Sequence, residues 1–335
     1  MGLYRVAHSE GASAISVKQW VRSLGRTVEK FVAGCQPPKD RSDSATPSRP
    51  STTATEYRPL ERVELTDEVS RTLFEEYAEH RQSKRGREEI GWVLMGIRRE
   101  TDALVLATLP AGQQRSASDV HVQFNSSAQA LAARIVRQWN KQLTLVGVVH
   151  THPGTLRHPS DGDLEGDRLW VPQLRGHEGI FTIGTADAKS HEPPGVMWQP
   201  KSSVQCMGEL RLSWYSLREG DRKYQPLPVE LTVGPDYARP LRMVWSAIEH
   251  HAERLERLVR QQISVKFEPV MDETGPVLEV TIALAEPKSA LRVQLNGEEV
   301  RYLLIRDGQA LVADLNEPQV DRGVYLLLAE LAKSA

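Results

Sequence analysis

The sequence predicts an α/β chain, a three-layer mixed-sheet domain followed by a smaller α+β domain. Three observations carry this. Stretches of helical and of strand periodicity alternate between residues 58 and 220, the pattern of helices layered on a mixed sheet. Within them an apolar run, Leu143 to Val149, leads straight into a polar stretch that holds His150, His152, Ser160 and Asp163. Beyond Pro226 a long amphipathic stretch is followed by short apolar runs joined by turn signals, among them Asn296-Gly297.

Taken in order, residues 1–14 are small and polar. From about Ser16 to Ala33, Val17, Trp20, Val21, Leu24, Val28, Phe31 and Val32 recur at helical spacing. Lys18, Arg22, Arg26 and Lys30 run down the other side, and Gly34 supplies a stop. This N-terminal helix, within residues 1–35, either packs back on the main body, docks a partner or lies on a membrane surface. Residues 36–57, rich in Pro, Ser and Thr, read as a disordered linker long enough to let the helix reach well away.

The catalytic domain is expected over residues 58–220. Thr66 fits the N-cap of its first helix, with Asp67 and Glu68 in the first turn and Val69, Leu73, Phe74 and Tyr77 buried. A charged connection, 81–88, precedes Glu89, and strands are expected at 91–97 and 103–109. A polar loop at 111–121, a short strand near 122–124 and a helix from about Ser127 to Lys141 precede the histidine strand. A helix after Asp163 should run to about Trp170, with strands near 179–185 and 195–199 and a strand pair within 205–216.

The accessory α+β domain is expected over residues 226–335. It opens with a strand at 229–233 and a helix from about Tyr237 to Gln262 that buries Leu241, Val244, Trp245, Ile248, Ala252, Leu255 and Leu258. Strands follow at 264–269, 276–285, 290–295, 300–306 and 310–315, with Asp307-Gly308 as a further turn and a closing helix after Val320. His250 and His251 are adjacent on the helix and point apart, so they read as surface residues rather than ligands.

The chemistry concentrates in residues 148–163. Side chains two apart on a strand leave the same face, so His150 and His152 can converge on one point. Ser160 follows Pro159 near a helix N-cap, and Asp163, three residues on, lies on the same helical face. Two neutral imidazoles and one carboxylate make a three-ligand zinc site whose fourth position is left to water, the catalytic rather than the structural arrangement. The plain alternative is two polar residues entering a loop. His158 falls outside the pattern and reads as a loop residue.

Upstream, Glu89-Ile90-Gly91 leads into an apolar strand ending at Gly96. Glu-x-Gly, the strand into His-x-His-Pro and Pro-Ser-x-x-Asp together resemble the JAMM (JAB/MPN+) metalloprotease signature, over roughly residues 60–200. The resemblance implies a JAB/MPN-type three-layer catalytic domain, with His150, His152 and Asp163 as zinc ligands. It makes Glu89 the general acid/base and gives Ser160 the oxyanion. It implies amide hydrolysis, most often at the C-terminus of ubiquitin or a ubiquitin-like protein, whose extended tail could add a strand to a sheet edge; residues 111–124 are the expected substrate loop. A JAMM domain with extra modules is similar to prokaryotic JAB proteins, some of them encoded beside ubiquitin-like conjugation components in antiphage systems. The accessory domain or the N-terminal helix would then meet substrate or a conjugation enzyme. The alternatives are a JAMM hydrolase of a sulfur-carrier precursor or small amide, a non-catalytic MPN-type scaffold and a DNA-repair-associated relative.

Composition bounds the rest. At 335 residues the chain has room for two cores, and 40% hydrophobic with 26% charged residues describes an ordinary soluble protein. A formal net charge of -2 argues against nucleic acid as a partner. Cys35 and Cys206 form neither a disulfide framework nor a CxxC site, which fits a reducing compartment. No apolar run approaches membrane-spanning length and no signal-peptide core is visible, so the expected location is cytoplasmic.

Overall fold

The structure is a computed structural model that describes residues 56–335, apart from 113–115, 118–121, 124, 155, 190–191, 194, 263, 274, 287 and 335. The helix expected at 16–33 and nearly all of the linker lie outside the described residues.

The described chain begins with a strand that the sequence did not suggest, β1 (Arg62–Thr66), followed by α1 (Asp67–Gln82). Its five residues alternate polar and apolar, with Val63 and Leu65 buried, but the run is short, and parallel pairing with the later strands at Asp102–Pro110 and Val229–Thr232 makes it a strand. Thr66 caps α1 as expected, its Oγ1 accepting from the Val69 N–H at 3.3 Å. β2 (Gly91–Arg98) and β3 (Asp102–Pro110) pair antiparallel. Within the polar loop that follows, β4 (Ser116–Ala117) and β5 (Val122–Gln123) pair with each other. α2 (Ser126–Trp139), capped by Asn125, precedes β6 (Thr144–Thr151).

α3 (Asp161–Asp167) stops at Asp167 rather than Trp170, because a turn and a short 3-10 segment with Pro172 in its first turn take over. Then come β7 (Glu178–Thr185), β8 (Met197–Lys201), β9 (Val204–Met207), β10 (Leu210–Arg218), β11 (Gln225–Pro226) and β12 (Val229–Thr232). One sheet takes the order β12-β1-β3-β2-β6-β7-β10-β9-β8, with β11 beside β10. It is mixed: β1 runs parallel to β3 and β12, and β6 runs parallel to β7. β12 therefore joins this sheet, although the sequence placed it at the start of the second domain.

The sheet is covered on both faces. α1 packs Val69, Leu73, Phe74 and Tyr77 into one core with Trp92, Leu94, Val146, Ile180 and Leu212. α2 packs Leu131, Ile135 and Val136 into a second core with Val93, Met95, Leu109, Leu145 and Phe181. The alternation of Trp92 and Leu94 with Val93 and Met95 is the period of a strand buried on both sides. Strands β6 and β7 approach closely at Gly147, where a Cβ would lie 1.9 Å from the Ile180 carbonyl oxygen.

The expected long helix divides into a 3-10 segment, Arg239–Val244, and α4 (Trp245–Gln261), because Pro240 sits in the first turn. β13 (Val265–Asp272), β14 (Gly275–Ala283), β15 (Ala290–Asn296), β16 (Glu299–Arg306) and β17 (Gln309–Val312) form an antiparallel sheet in sequence order. The β16–β17 turn, Asp307-Gly308, has positive φ at both residues as a two-residue hairpin requires. The β15–β16 loop is Gly297-Glu298, one residue beyond the expected Asn-Gly pair. α5 (Val320–Ser334) closes the chain.

α4 does not stand apart. Ile248, Leu255 and Leu258 share one core with Leu131 and Ile135 of α2 and with Phe267, Val280 and Leu291 of the second sheet. An Arg134–Glu256 pair at 3.1 Å and a bond from the Phe267 N–H to Gln138 Oε1 at 3.1 Å join the same elements. The surface reading of the α4 histidines needs correction for His251. It is buried, with Nε2 3.0 Å from the Gly297 carbonyl oxygen, while His250 faces Glu298 at 3.0 Å.

Candidate metal centre

The site forms where the C-terminal end of β6 meets the N-terminal end of α3. β6 is held on both sides as it leaves the sheet. Thr151 N–H donates to the Ile90 carbonyl and Ile90 N–H donates to Thr151 Oγ1, at 2.9 and 3.0 Å. On the other side His152 N–H donates to the Gly184 carbonyl at 2.8 Å. Both histidine backbones are therefore fixed by strands whose own positions the two cores determine.

Three ligand atoms converge. His150 Nε2 and His152 Nε2 are 3.1 Å apart, His150 Nε2 lies 3.3 Å from Asp163 Oδ1, and His152 Nε2 lies 3.4 Å from Asp163 Oδ2. Ligands about 2.0–2.1 Å from a tetrahedral zinc lie about 3.3 Å from one another, so these three edges match one face of that tetrahedron. His152 Nδ1 is 2.9 Å from the Leu156 carbonyl oxygen and donates to it, which leaves Nε2 as the metal-facing lone pair. Such a nitrogen facing a second imidazole nitrogen at 3.1 Å requires a proton or a cation between them. The donor set thus fits zinc, and among the described residues this is the one His/Cys/Asp/Glu group close enough to hold a metal ion.

Asp163 is held by a capping box. Ser160 N–H and Oγ–H donate to Asp163 Oδ2 at 2.6 and 2.8 Å, and Asp163 N–H donates back to Ser160 Oγ at 3.1 Å. Ser160 therefore acts first as the group that aims Asp163 at the histidines. Burial alone would raise the Asp163 pKa, but His150, His152 and the Ser160 N–H hold it far below the usual carboxylate range. Burial alone would lower His150, and Asp163, helped by Glu89 and Asp167, raises it to about 9 in the metal-free protein.

Glu89 is buried. The register pairs Gly91 with His150, and the two Ile90–Thr151 bonds extend it so that Glu89 falls opposite His152. Directly opposed residues share a face, which puts Glu89 on the face that carries both histidines. His158 is exposed, with Nδ1 3.2 Å from the Pro159 carbonyl oxygen, and lies outside the cluster.

Sequence reasoning missed Asp167. One helical turn after Asp163, it is buried, with Oδ2 accepting from Tyr224 Oη at 2.6 Å and Oδ1 from Trp170 Nε1 at 3.3 Å. Burial pushes its pKa up to about 7, against the opposing effect of the Tyr224 bond. The i, i+4 spacing of Asp163 and Asp167 was visible, but only the fold reveals that Tyr224 closes over the second carboxyl.

Residues 70–199 match the family model described as prokaryotic homologs of the JAB domain. The chain is also similar to the solution structure of protein DSY2949 from Desulfitobacterium hafniense, at 17% identity and a TM-score of 0.34, over 52% of this chain and 96% of that one. No curated protein matches the sequence. No helix among the described residues is long and apolar enough to cross a membrane.

Proposed function

We propose that this chain, whose residues 70–199 match the family model of prokaryotic homologs of the JAB domain, is a zinc-dependent (iso)peptidase that cuts the amide bond at the C-terminus of a ubiquitin-like protein. The observation that carries the reading is the convergence of His150, His152 and Asp163 at zinc-ligand spacing on the face shared by buried Glu89. In this reading the catalytic domain spans residues 58–220 together with β12, the chain beyond β12 is an accessory domain, and the protein works in the cytoplasm beside ubiquitin-like conjugation enzymes. An antiphage conjugation system is the setting that such an arrangement suits.

Bound zinc supplies a Lewis acid that lowers the pKa of water to about 7. The protein's own groups do the rest. His150, His152 and Asp163 fix the ligand geometry, with Leu156 and Ser160 orienting His152 and Asp163. Glu89 takes the proton from the attacking water and returns it to the leaving amine, as general base and then general acid. Ser160, with its hydroxyl turned from Asp163 toward the substrate, steadies the oxyanion.

The first test is metal content of purified protein, wild type beside Asp163→Ala. About one zinc in the wild type and a large loss in the variant are expected for a three-ligand site. Cleavage of ubiquitin-like fusions follows, with Glu89→Ala as a control that keeps metal and loses turnover. Absence of zinc from the wild type, even after reconstitution, would overturn the enzyme reading.

A further inference from the structure

Asp163 stands on a helix that its own packing fixes weakly. α3 is too short for an isolated helix to persist, and its single apolar side chain, Leu164, is only partly buried. The capping box lies within the helix start, so it aims the Asp163 carboxylate relative to α3 and ties α3 to no other element. The polar ties to the rest of the fold come one turn later. Buried Asp167 accepts from Tyr224 Oη at 2.6 Å and from Trp170 Nε1 at 3.3 Å. Arg168 beside it donates to the Asp221 carbonyl oxygen from Nε at 3.0 Å and from Nη2 at 2.6 Å. Tyr224 and Asp221 both belong to the connection between β10 and β11, which thereby clasps the C-terminal end of α3.

The clasp takes its reference from the strands that hold the histidines. The Tyr224 and Trp170 rings both pack edge-on against Phe181 of β7, with centroids 5.5 and 5.3 Å away. Phe181 pairs with Val148 of β6, two residues before His150 and on the same face. Asp163 and Asp167, four residues apart, lie on one side of α3.

We propose that Asp167 is a positioning residue of the metal site: held by Tyr224, it seats α3 against Phe181 and so sets Asp163 at ligand distance from His150 and His152. The inference rests on the zinc reading of those three residues and not on the bond the enzyme cuts. A buried carboxyl is costly, and an apolar side chain would fill the same aromatic surroundings without that cost. What the hydrogen bond adds is direction, since it weakens steeply when bent, and so it fixes the rotation of α3 as well as its distance from the sheet. Rotation matters here because both Asp163 oxygens are engaged, Oδ1 by His150 and Oδ2 by His152 and Ser160.

Zinc competition titrations on the full chain test it, with the melt of the metal-free protein as the check on folding. Tyr224→Phe keeps the ring and the carboxyl and removes the bond, and should weaken zinc binding by roughly 10–100-fold, the range for outer partners of metal ligands. Asp167→Asn removes the charge but keeps an acceptor for Tyr224, and its affinity should stay within a few-fold of wild type. Tyr224→Phe should add nothing to the loss seen in Asp167→Ala, because it acts through that carboxyl. Arg168→Ala frees the same helix end at an exposed position, so it reads the tie even where a buried variant melts early, and it too should weaken zinc binding. Wild-type affinity in both Tyr224→Phe and Arg168→Ala would overturn the inference. So would a loss in Asp167→Asn equal to that in Tyr224→Phe, which would give the role to the charge of the carboxyl. A wild type that takes up no zinc overturns the metal reading itself, and this inference with it.

Discussion

Asp167→Asn in the metal-free protein gives the sharpest test of the electrostatics around the site. The carboxyl is buried and its pKa is raised from 3.8 to about 7, chiefly by that burial. Between these two values the folded state keeps a proton that the unfolded state has released, so stability falls as pH rises. The slope is about 1.4 kcal/mol per pH unit, which amounts to about 3 kcal/mol between pH 5 and pH 7 and then levels off. Asparagine is uncharged throughout and still accepts the Tyr224 hydrogen bond, at an expected cost of about 1 kcal/mol for the poorer match to Trp170 Nε1. His150 and Asp163 titrate in both proteins, so the difference between variant and wild type isolates Asp167 to first order. Urea unfolding in chelator at pH 5 and pH 8 should therefore show the variant gaining on wild type by about 3 kcal/mol as pH rises. A difference that stays within about 1 kcal/mol at the two pH values would refute the reasoning, because the carboxyl would then not be held in its neutral form.

Three further outcomes follow from the same geometry. Ser160→Ala removes both the N-cap and one bond to the Asp163 carboxylate, so stability should drop by about 1 kcal/mol and zinc affinity by roughly 10–100-fold in a competition titration; unchanged affinity would show that Ser160 does not orient the ligand. Arg98→Met leaves Glu178, whose side chain is 4% exposed, without its 3.3 Å partner and should cost about 3–5 kcal/mol. A thermal shift of under about 3 °C would contradict that. Gly147→Ala places a methyl group on the Ile180 carbonyl oxygen, in the strand pair that positions the histidines. Expression as aggregate, or loss of both zinc binding and the cooperative melt, is expected, and a native-like melt would show that β6 and β7 can separate without cost.

Much of the candidate site was legible in the sequence because the pairing of its two histidines and the placing of Ser160 beside Asp163 depend on local geometry, whereas the position of Glu89 opposite His152 rests on the pairing of β2 with β6. A strand puts His150 and His152 on one face, and a capped helix start puts Ser160 beside Asp163, with no need to know what surrounds them. Thr66 as an N-cap and Asp307-Gly308 as a hairpin turn were readable for the same reason. What depends on distant partners was not. β12 was legible as a strand, but its place in the first sheet, parallel to β1 166 residues earlier, was not, and β1 alternates polar and apolar over only five residues, too short a run to be read as a strand without its partners. His251 looked like a surface residue because neighbours on a helix point apart, and only the packing of α4 against the second sheet decided which of the two was buried. Asp167 is a polar residue on a short helix until Tyr224, 57 residues away, closes over it. The sequence by itself determined which atoms can bind a metal, because ligand chemistry and the period of a strand or helix are local. Tertiary structure decided which carboxyl lost its water, because burial is set by whatever chain returns to cover it.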